Sequence, residues 1–382
     1  MRVNFMDRDA LSLSGSESER YQRHLALAEI GPEGQRKLKA ARVLVVGAGG
    51  LGSPAALYLA AAGCGTLGLL DCDRVELSNL QRQVLFDSAA VGRPKAEAGR
   101  ERLAGLNPQI RILAHALRLD AANVRELFGQ YDLVLDGTDR LSARYLINDA
   151  CVILRRPLVS AAIHRFEGQL MTYVPGAGPC YRCVFPHAAD GMVANCAEAG
   201  VLGVLPGVLG TLQATEAIKL ITGIGEPLTG RLLTYDALEM RFSEFRVARR
   251  RDCAACGDAP TITEPRATPT AAPPEGVRRL SAAALRELLG AAHGAPLLID
   301  VREVREFEAG HLEGSVNIPL GQLPQRLAGL APGAAPVFIC RSGGRSLAAC
   351  QMALRAGLAA PANLEGGLLA WAAEVDPSLR VL

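Results

Sequence analysis

No stretch of this chain carries the about 18 or more consecutive apolar residues of a membrane-spanning helix, and its first residues lack the apolar core of a secretory signal. Nor is there a charge imbalance: 41 Lys and Arg stand against 39 Asp and Glu, a formal charge of +2. The longest cationic cluster, Arg249-Arg250-Arg251, is too short for a nucleic-acid patch and reads as a solvated turn. These absences exclude a membrane span and give no sign of a nucleic-acid or lipid partner; a cytoplasmic protein is the expectation. What the chain does have is length and cysteine. Its 382 residues are enough for two domains, and 49% of them are hydrophobic, so a core is easily filled. Ten cysteines suit a reducing compartment poorly as disulfides, and better as metal ligands and reactive thiols.

The segment from Val43 to Lys95 organises the chain. Val43-Leu44-Val45-Val46 reads as a buried parallel strand, and Gly47-Ala48-Gly49-Gly50-Leu51-Gly52 follows at once. An Ala/Leu-rich helix then runs to about Ala62. Strand, glycine turn and helix N-terminus make a phosphate site: Gly47, Gly49, Gly50 and Gly52 let backbone amides approach the anion. A second strand, Thr66 to Leu70, ends in Asp71, placed to hold a ribose hydroxyl. A dehydrogenase would look the same so far. The residues that follow would not: Asn79-Leu80-Gln81-Arg82-Gln83 and Gly92-Arg93-Pro94-Lys95 put two cations and an amide near the phosphate end. That suits a triphosphate better than the diphosphate of NAD. Lys95 is one of only four lysines in the chain.

The glycine turn, NLQRQ and RPK, in this order and spacing, resemble the ubiquitin-activating-type adenylyltransferases, in particular the MoeB/ThiF group. The resemblance covers roughly residues 20 to 258. It implies an α/β fold, a Rossmann-like ATP-binding domain with a mainly parallel sheet. It further implies that Asn79, Arg82, Gln83 and Lys95 meet the triphosphate and that Asp139 is the magnesium-associated aspartate. The family usually has Asn after that aspartate, whereas here Arg140 stands. Without the resemblance, Asp139 reads as a helix cap and Arg23 as a surface arginine. With it, Arg23 reaches the partner subunit's nucleotide site, and the protein is a homodimer with composite sites.

Further along, Cys180-Tyr181-Arg182-Cys183 is answered by Cys253-Ala254-Ala255-Cys256. Two such pairs supply four thiolates for a tetrahedral zinc with no open coordination position, a structural site. Between them Cys196 lies in a Gly-rich segment before a helix placed at Gly210 to Thr222. Cys196 is either a small buried residue or, as in relatives that use a thioester or persulfide relay, a participating thiol. Cys64, Cys72, Cys151 and Cys350 have no motif around them and are read as structural.

Residues 1–19 are polar and expected to form a mobile tail, the first domain spans 20–257, and the Pro-rich stretch 258–276 is a linker. Residues 277–382 form a second domain. In it a strand, Val337-Phe338-Ile339, runs into Cys340-Arg341-Ser342-Gly343-Gly344-Arg345-Ser346 and then a helix. A cysteine so placed sits among backbone amides at the positive end of a helix, which favours a thiolate or persulfide anion. LIDVRE, GHLEGSVNIP, CRSGGRS and LEGGLLAW together resemble a rhodanese (sulfurtransferase) domain. A cysteine phosphatase loop holds one more residue than the four separating Cys340 from Arg345. Arg341 and Arg345 are expected to recruit an anionic donor such as thiosulfate.

The combined expectation is an enzyme that uses ATP and Mg2+ to adenylate the C-terminal carboxylate of a small ubiquitin-like sulfur carrier ending Gly-Gly. Cys340 then passes persulfide sulfur, taken from thiosulfate or a cysteine-desulfurase persulfide, to give a thiocarboxylate. Two other readings stay open at this point. An oxidoreductase fused to a sulfurtransferase shares the glycine turn but leaves Asn79, Arg82, Lys95 and Asp139 unexplained; a non-catalytic scaffold leaves the phosphate cations unused.

Overall fold

Short β-rich apolar runs separated by helices dictate parallel sheets buried on both faces, and two such sheets form. The structure, a computed structural model, describes residues 12–186, 200–266, 276–290, 296–327, 329–330 and 334–381. The chain divides into two compact units, the first holding the described residues up to 266 and the second those from 276 onward.

In the first unit the strands are β1 (Arg42–Val46), β2 (Thr66–Leu70), β3 (Arg111–His115), β4 (Leu133–Asp136), β5 (Leu158–His164), β6 (Glu167–Tyr173), β7 (Arg231–Asp236) and β8 (Arg241–Arg246). Their order is β3-β2-β1-β4-β5-β6-β7-β8. The first five are parallel and the last three antiparallel. The chain order reverses between β1 and β4, and ligands of open α/β sheets bind at the carboxyl ends of strands flanking such a switch. One face of the sheet buries Val43, Val45, Leu67 and Leu69 with the helices Gly52–Ala61 and Leu205–Thr222; the other buries Leu44, Val46 and Val134 with Leu141–Ile153.

Two expectations shift. Residues 15–20 are helical rather than part of a mobile tail: Ser14 and Glu17 form a capping box, and Glu17 pairs with Lys39 at 2.7 Å. The helix expected from Gly210 starts at Leu205, because Pro206 fits the first helical turn, where no amide partner is needed.

The strands of the second unit are β9 (Arg278–Leu280), β10 (Leu298–Asp300), β11 (Val316–Asn317), β12 (Val337–Ile339) and β13 (Ala362–Leu364). They form a five-stranded parallel sheet in the order β11-β10-β12-β13-β9. Leu298, Val337, Ile339, Leu364 and Trp371 fill one side, and Ile299, Phe338, Ala349 and Cys350 the other.

Candidate functional site

The glycine turn lies at the switch point. Gly47 has φ +88°, and a Cβ there would stand 2.9 Å from the Gly137 carbonyl, so only glycine lets the β1 and β4 loops approach. A Cβ on Gly52 would collide with the Gly47 carbonyl. Asp71 closes the turn: its Oδ2 accepts the Ala48 amide at 2.8 Å and its Oδ1 the Asp73 amide at 2.9 Å. Burial raises this carboxyl above its ordinary 3.8, against the pull of the Lys95 charge and the two amides.

The structure brings most of the expected nucleotide residues to this turn. A Cβ built on Gly50 would lie 3.6 Å from Arg82 Cγ, and one on Gly49 would lie 3.7 Å from Gln83 Nε2. Gln83 is buried, and its Oε1 has no partner among the described residues, a polar atom left for a ligand. Lys95 begins the helix Lys95–Leu106 and is only 6% exposed, yet its nearest carboxylate, Asp73 Oδ2, is 3.5 Å away. A buried ammonium so loosely paired has charge to offer an incoming phosphate. Asn79 differs: its carboxamide is spent within its own turn, on the Glu76 amide at 3.3 Å and Ser78 Oγ at 3.4 Å. Arg23 is exposed on the helix Gln22–Leu25. Asp139 is exposed after β4 with no side-chain partner among the described residues, and its hard oxygens suit Mg2+ beside a phosphate turn.

Sequence reasoning missed the polar layer beneath this loop. Asp136, 1% exposed, accepts the Thr138 amide (3.0 Å), the Thr138 hydroxyl (2.7 Å) and the Ser160 hydroxyl (3.0 Å). Arg144 donates to the carbonyls of Thr138 and Ala161. Gln213 donates to the carbonyls of Asp136 and Val159. The only hint was polar residues at positions where helix and strand faces should be apolar.

The cysteine pairs converge. The four sulfurs of Cys180, Cys183, Cys253 and Cys256 lie within 4.8 Å of one another, with Cys180–Cys253 at 3.6 Å and Cys183–Cys256 at 3.4 Å. Zinc–sulfur bonds of about 2.3 Å in a tetrahedron set the sulfurs roughly 3.8 Å apart, so the residues fit the ion. Hydrogen bonds from Cys180 and Cys256 lower the Cys253 thiol while the Cys180 and Cys256 thiols are pushed up, so the four share protons that a bound metal would release. The Arg250 amide points at Cys183 Sγ from 3.4 Å, an outer contact typical of such sites. Cys196 lies outside the described residues. Cys64, Cys151 and Cys350 are buried, with burial pushing the Cys64 and Cys350 thiols up to about 12, whereas Cys72 is exposed.

Cys340 directly follows β12 at the mouth of a tight loop. Its Sγ accepts the Gly343 amide at 3.1 Å and lies 3.2 Å from Ser346 Oγ. Gly343 has φ +93° and caps the helix Gly344–Arg355. The amides of Leu368 and Leu369 take the carbonyls of Cys340 and Arg341 (2.9 and 3.0 Å), which turns the loop's own amides toward the sulfur. Arg345 departs from its expected task. Its guanidinium is buried in a bidentate pair with Glu306, 2.8 Å at both contacts, because a buried cation must be neutralised. Half-buried Arg341 is the loop's guanidinium with no partner among the described residues.

The ThiF family pattern matches residues 21–256, and the rhodanese-like domain pattern matches residues 281–374. The chain belongs to the ThiF family. It carries a rhodanese-like domain behind the ThiF part, and the oxidoreductase alternative falls away. A Mycobacterium tuberculosis relative described as probable adenylyltransferase/sulfurtransferase MoeZ is 43% identical over 385 residues, 97% of this chain and 96% of the relative. A Thermus thermophilus sulfur carrier protein adenylyltransferase is 51% identical over 254 residues, 65% of this chain and 94% of the relative. Among solved structures, the Microcin C7 biosynthetic enzyme MccB in complex with N-formylated MccA superposes with TM-score 0.58 at 26% identity, over 63% of this chain and 76% of that one. Escherichia coli MccB with ATP gives 0.55 at 25%, over 64% and 75%. No helix among the described residues is long and apolar enough to cross a membrane.

Proposed function

We propose that the chain adenylates the C-terminal carboxylate of a small ubiquitin-like sulfur carrier ending Gly-Gly and then converts it to a thiocarboxylate. The observation that carries this reading is the pairing, in one ThiF-family chain, of an amide-lined turn beside Lys95 and Arg82 with a cysteine set among amides at a helix start. In the first half-reaction the carrier carboxylate attacks the α-phosphorus of ATP and pyrophosphate leaves. Gly47, Gly49, Gly50 and Gly52 present amides, Asp71 holds the ribose, Arg82 and Lys95 offset charge on the triphosphate, and Gln83 offers its unpartnered amide oxygen to the nucleotide, whereas Asn79 holds the Glu76–Asn79 turn in shape. Catalysis is then positioning and electrostatics, with no protein nucleophile. Asp139 would hold Mg2+, which neutralises phosphate charge when bound. Arg23 of a second subunit would complete each site in a homodimer.

In the second half-reaction Cys340 carries an outer sulfur as a persulfide, stabilised by the Gly343 amide and the Ser346 hydroxyl. That sulfur attacks the carrier's acyl carbon and AMP leaves, giving an acyl disulfide. A second thiol, with Cys196 the candidate in this chain, cleaves the sulfur–sulfur bond, so that thiocarboxylate leaves and a disulfide remains for a thiol reductant. We take the adenylating domain to run from residue 20 past 257, since Asp258 pairs with Arg249 and Arg251 and Ile262 packs on its core, residues 277–382 as the sulfur-transfer domain, and the rest of the Pro-rich stretch up to 276 as a tether that raises the local concentration of Cys340. A cytoplasmic site of action fits a chemistry that needs reduced thiols.

Intact mass of the carrier tests the whole reading. With protein, Mg-ATP, thiosulfate and a Gly-Gly carrier, one carrier oxygen is replaced by sulfur, and the change disappears without ATP or in Cys340→Ala. Failure of ATP–pyrophosphate exchange with every carrier offered would overturn it.

A further inference from the structure

Arg140 occupies the N-cap of the helix Leu141–Ile153 and makes no side-chain cap hydrogen bond, at a position where Asn, Asp, Ser or Thr normally supplies the capping oxygen. The Gly137–Asp139 loop just before it is therefore held by other groups. One turn into the helix, Arg144 reaches back to the Thr138 carbonyl and also donates to the Ala161 carbonyl on β5 at 2.6 Å. Its Nη1 stands 3.6 Å from Asp136 Oδ2. Asp136 holds the amide and hydroxyl of the same Thr138. The residue immediately before Asp139 is thus gripped at its amide, hydroxyl and carbonyl.

We propose that Arg144 is a positioning residue for the nucleotide's metal: it aims the Asp139 carboxylate by fixing the Thr138 peptide. The proposal rests on the reading of Asp139 as the carboxylate that meets Mg2+. Arg144 itself is 5% exposed and points away from solvent into the sheet, so it touches the loop and neither nucleotide nor metal. Its planar fork is what the task needs. One guanidinium spans two carbonyls on different segments and faces a carboxylate, a set of contacts that the single ammonium of lysine does not reproduce.

The test uses the full chain with a non-hydrolysable ATP analogue and Mn2+ as the probe, free Mn2+ being read by electron paramagnetic resonance. Wild type is compared with Arg144→Lys, Arg144→Gln and Asp139→Asn, and metal-free binding of the analogue is measured in parallel. Loss of the clamp weakens Mn2+ binding about tenfold, the lower end of what outer-layer partners of a metal site contribute. Metal-free affinity for the analogue stays within about twofold, since the glycine turn and cations remain. If Asp139→Asn weakens Mn2+ binding and both Arg144 variants leave it unchanged, the proposal is overturned. If Asp139→Asn has no effect either, the reading of Asp139 fails instead. If neither Arg144 variant folds, the role is structural and the proposal is likewise overturned.

Discussion

The two anion sites of this chain share one backbone device and differ in what is placed on it. At the end of β1, Gly47 (φ +88°) turns the chain into the helix Gly52–Ala61; after β12, Gly343 (φ +93°) turns it into the helix Gly344–Arg355. Both aim amides and the positive end of a helix at one point. In the first site that point is bare backbone, and the cations around it are loosely paired, Lys95 at 3.5 Å from Asp73. In the second the point is filled by a sulfur, and Arg345 is sealed against Glu306. An empty ring with free cations suits a charged substrate that arrives and leaves. An occupied ring whose buried cation is neutralised, with only half-buried Arg341 left unpaired among the described residues, suits a covalent anion that stays. Backbone geometry thus makes an anion site, and side chains decide whose anion it is.

The largest test of that contrast is Cys340→Ala: persulfide formation, read by intact mass, is lost completely, while ATP–pyrophosphate exchange persists. Loss of exchange as well would break the separation between the two sites. Next, Lys95→Ala slows exchange by about 10²–10³-fold, the scale of one preorganised charge partner, with Cys340 loading from thiosulfate untouched. Gly52→Ala forces the phosphate turn off the Gly47 carbonyl, and a misplacement of that kind costs about 10²-fold in exchange; a normal rate would show that the turn has room to yield.

The smallest effect concerns the sealed pair. Burial pushes the Glu306 carboxyl up, but hydrogen bonds from the Arg345 guanidinium and the Glu303 amide outweigh it and hold the group below its ordinary 4.5. A group whose pKa falls on folding stabilises above its unfolded value, and that stability is lost as pH falls through the folded value. The second domain therefore weakens as pH falls below 4.5. Glu306→Gln lowers its stability at pH 7 by about 2 kcal/mol, and the gap from wild type closes as falling pH protonates the carboxyl below 4.5. A constant gap in thermal melts from pH 7 to well below 4.5 would mean that the pair contributes by shape alone.

The glycine turn, both cysteine pairs and the Cys340 loop were legible in the sequence because each is local: a few residues at fixed spacing carry the chemistry wherever the chain goes. The parallel strands were legible for the same reason, as unbroken runs such as Val43–Val46. Residues 15–19 were misread because the local Ser14–Glu17 capping box was overlooked, and because the contact that anchors it, Glu17 to Lys39, reaches a helix about twenty residues away. What only the tertiary structure decided was partnership between distant side chains. Nothing in a window around Arg345 says that Glu306, 39 residues earlier, takes its charge. Nothing around Arg144 names Thr138, Ala161 and Asp136 as three claims on one guanidinium. The sequence by itself determined which chemistries the chain carries, since backbone turns and ligand spacing are short-range. Which charges stay free to do that chemistry was left to the fold, because a buried charge is satisfied by whichever partner packing brings within reach.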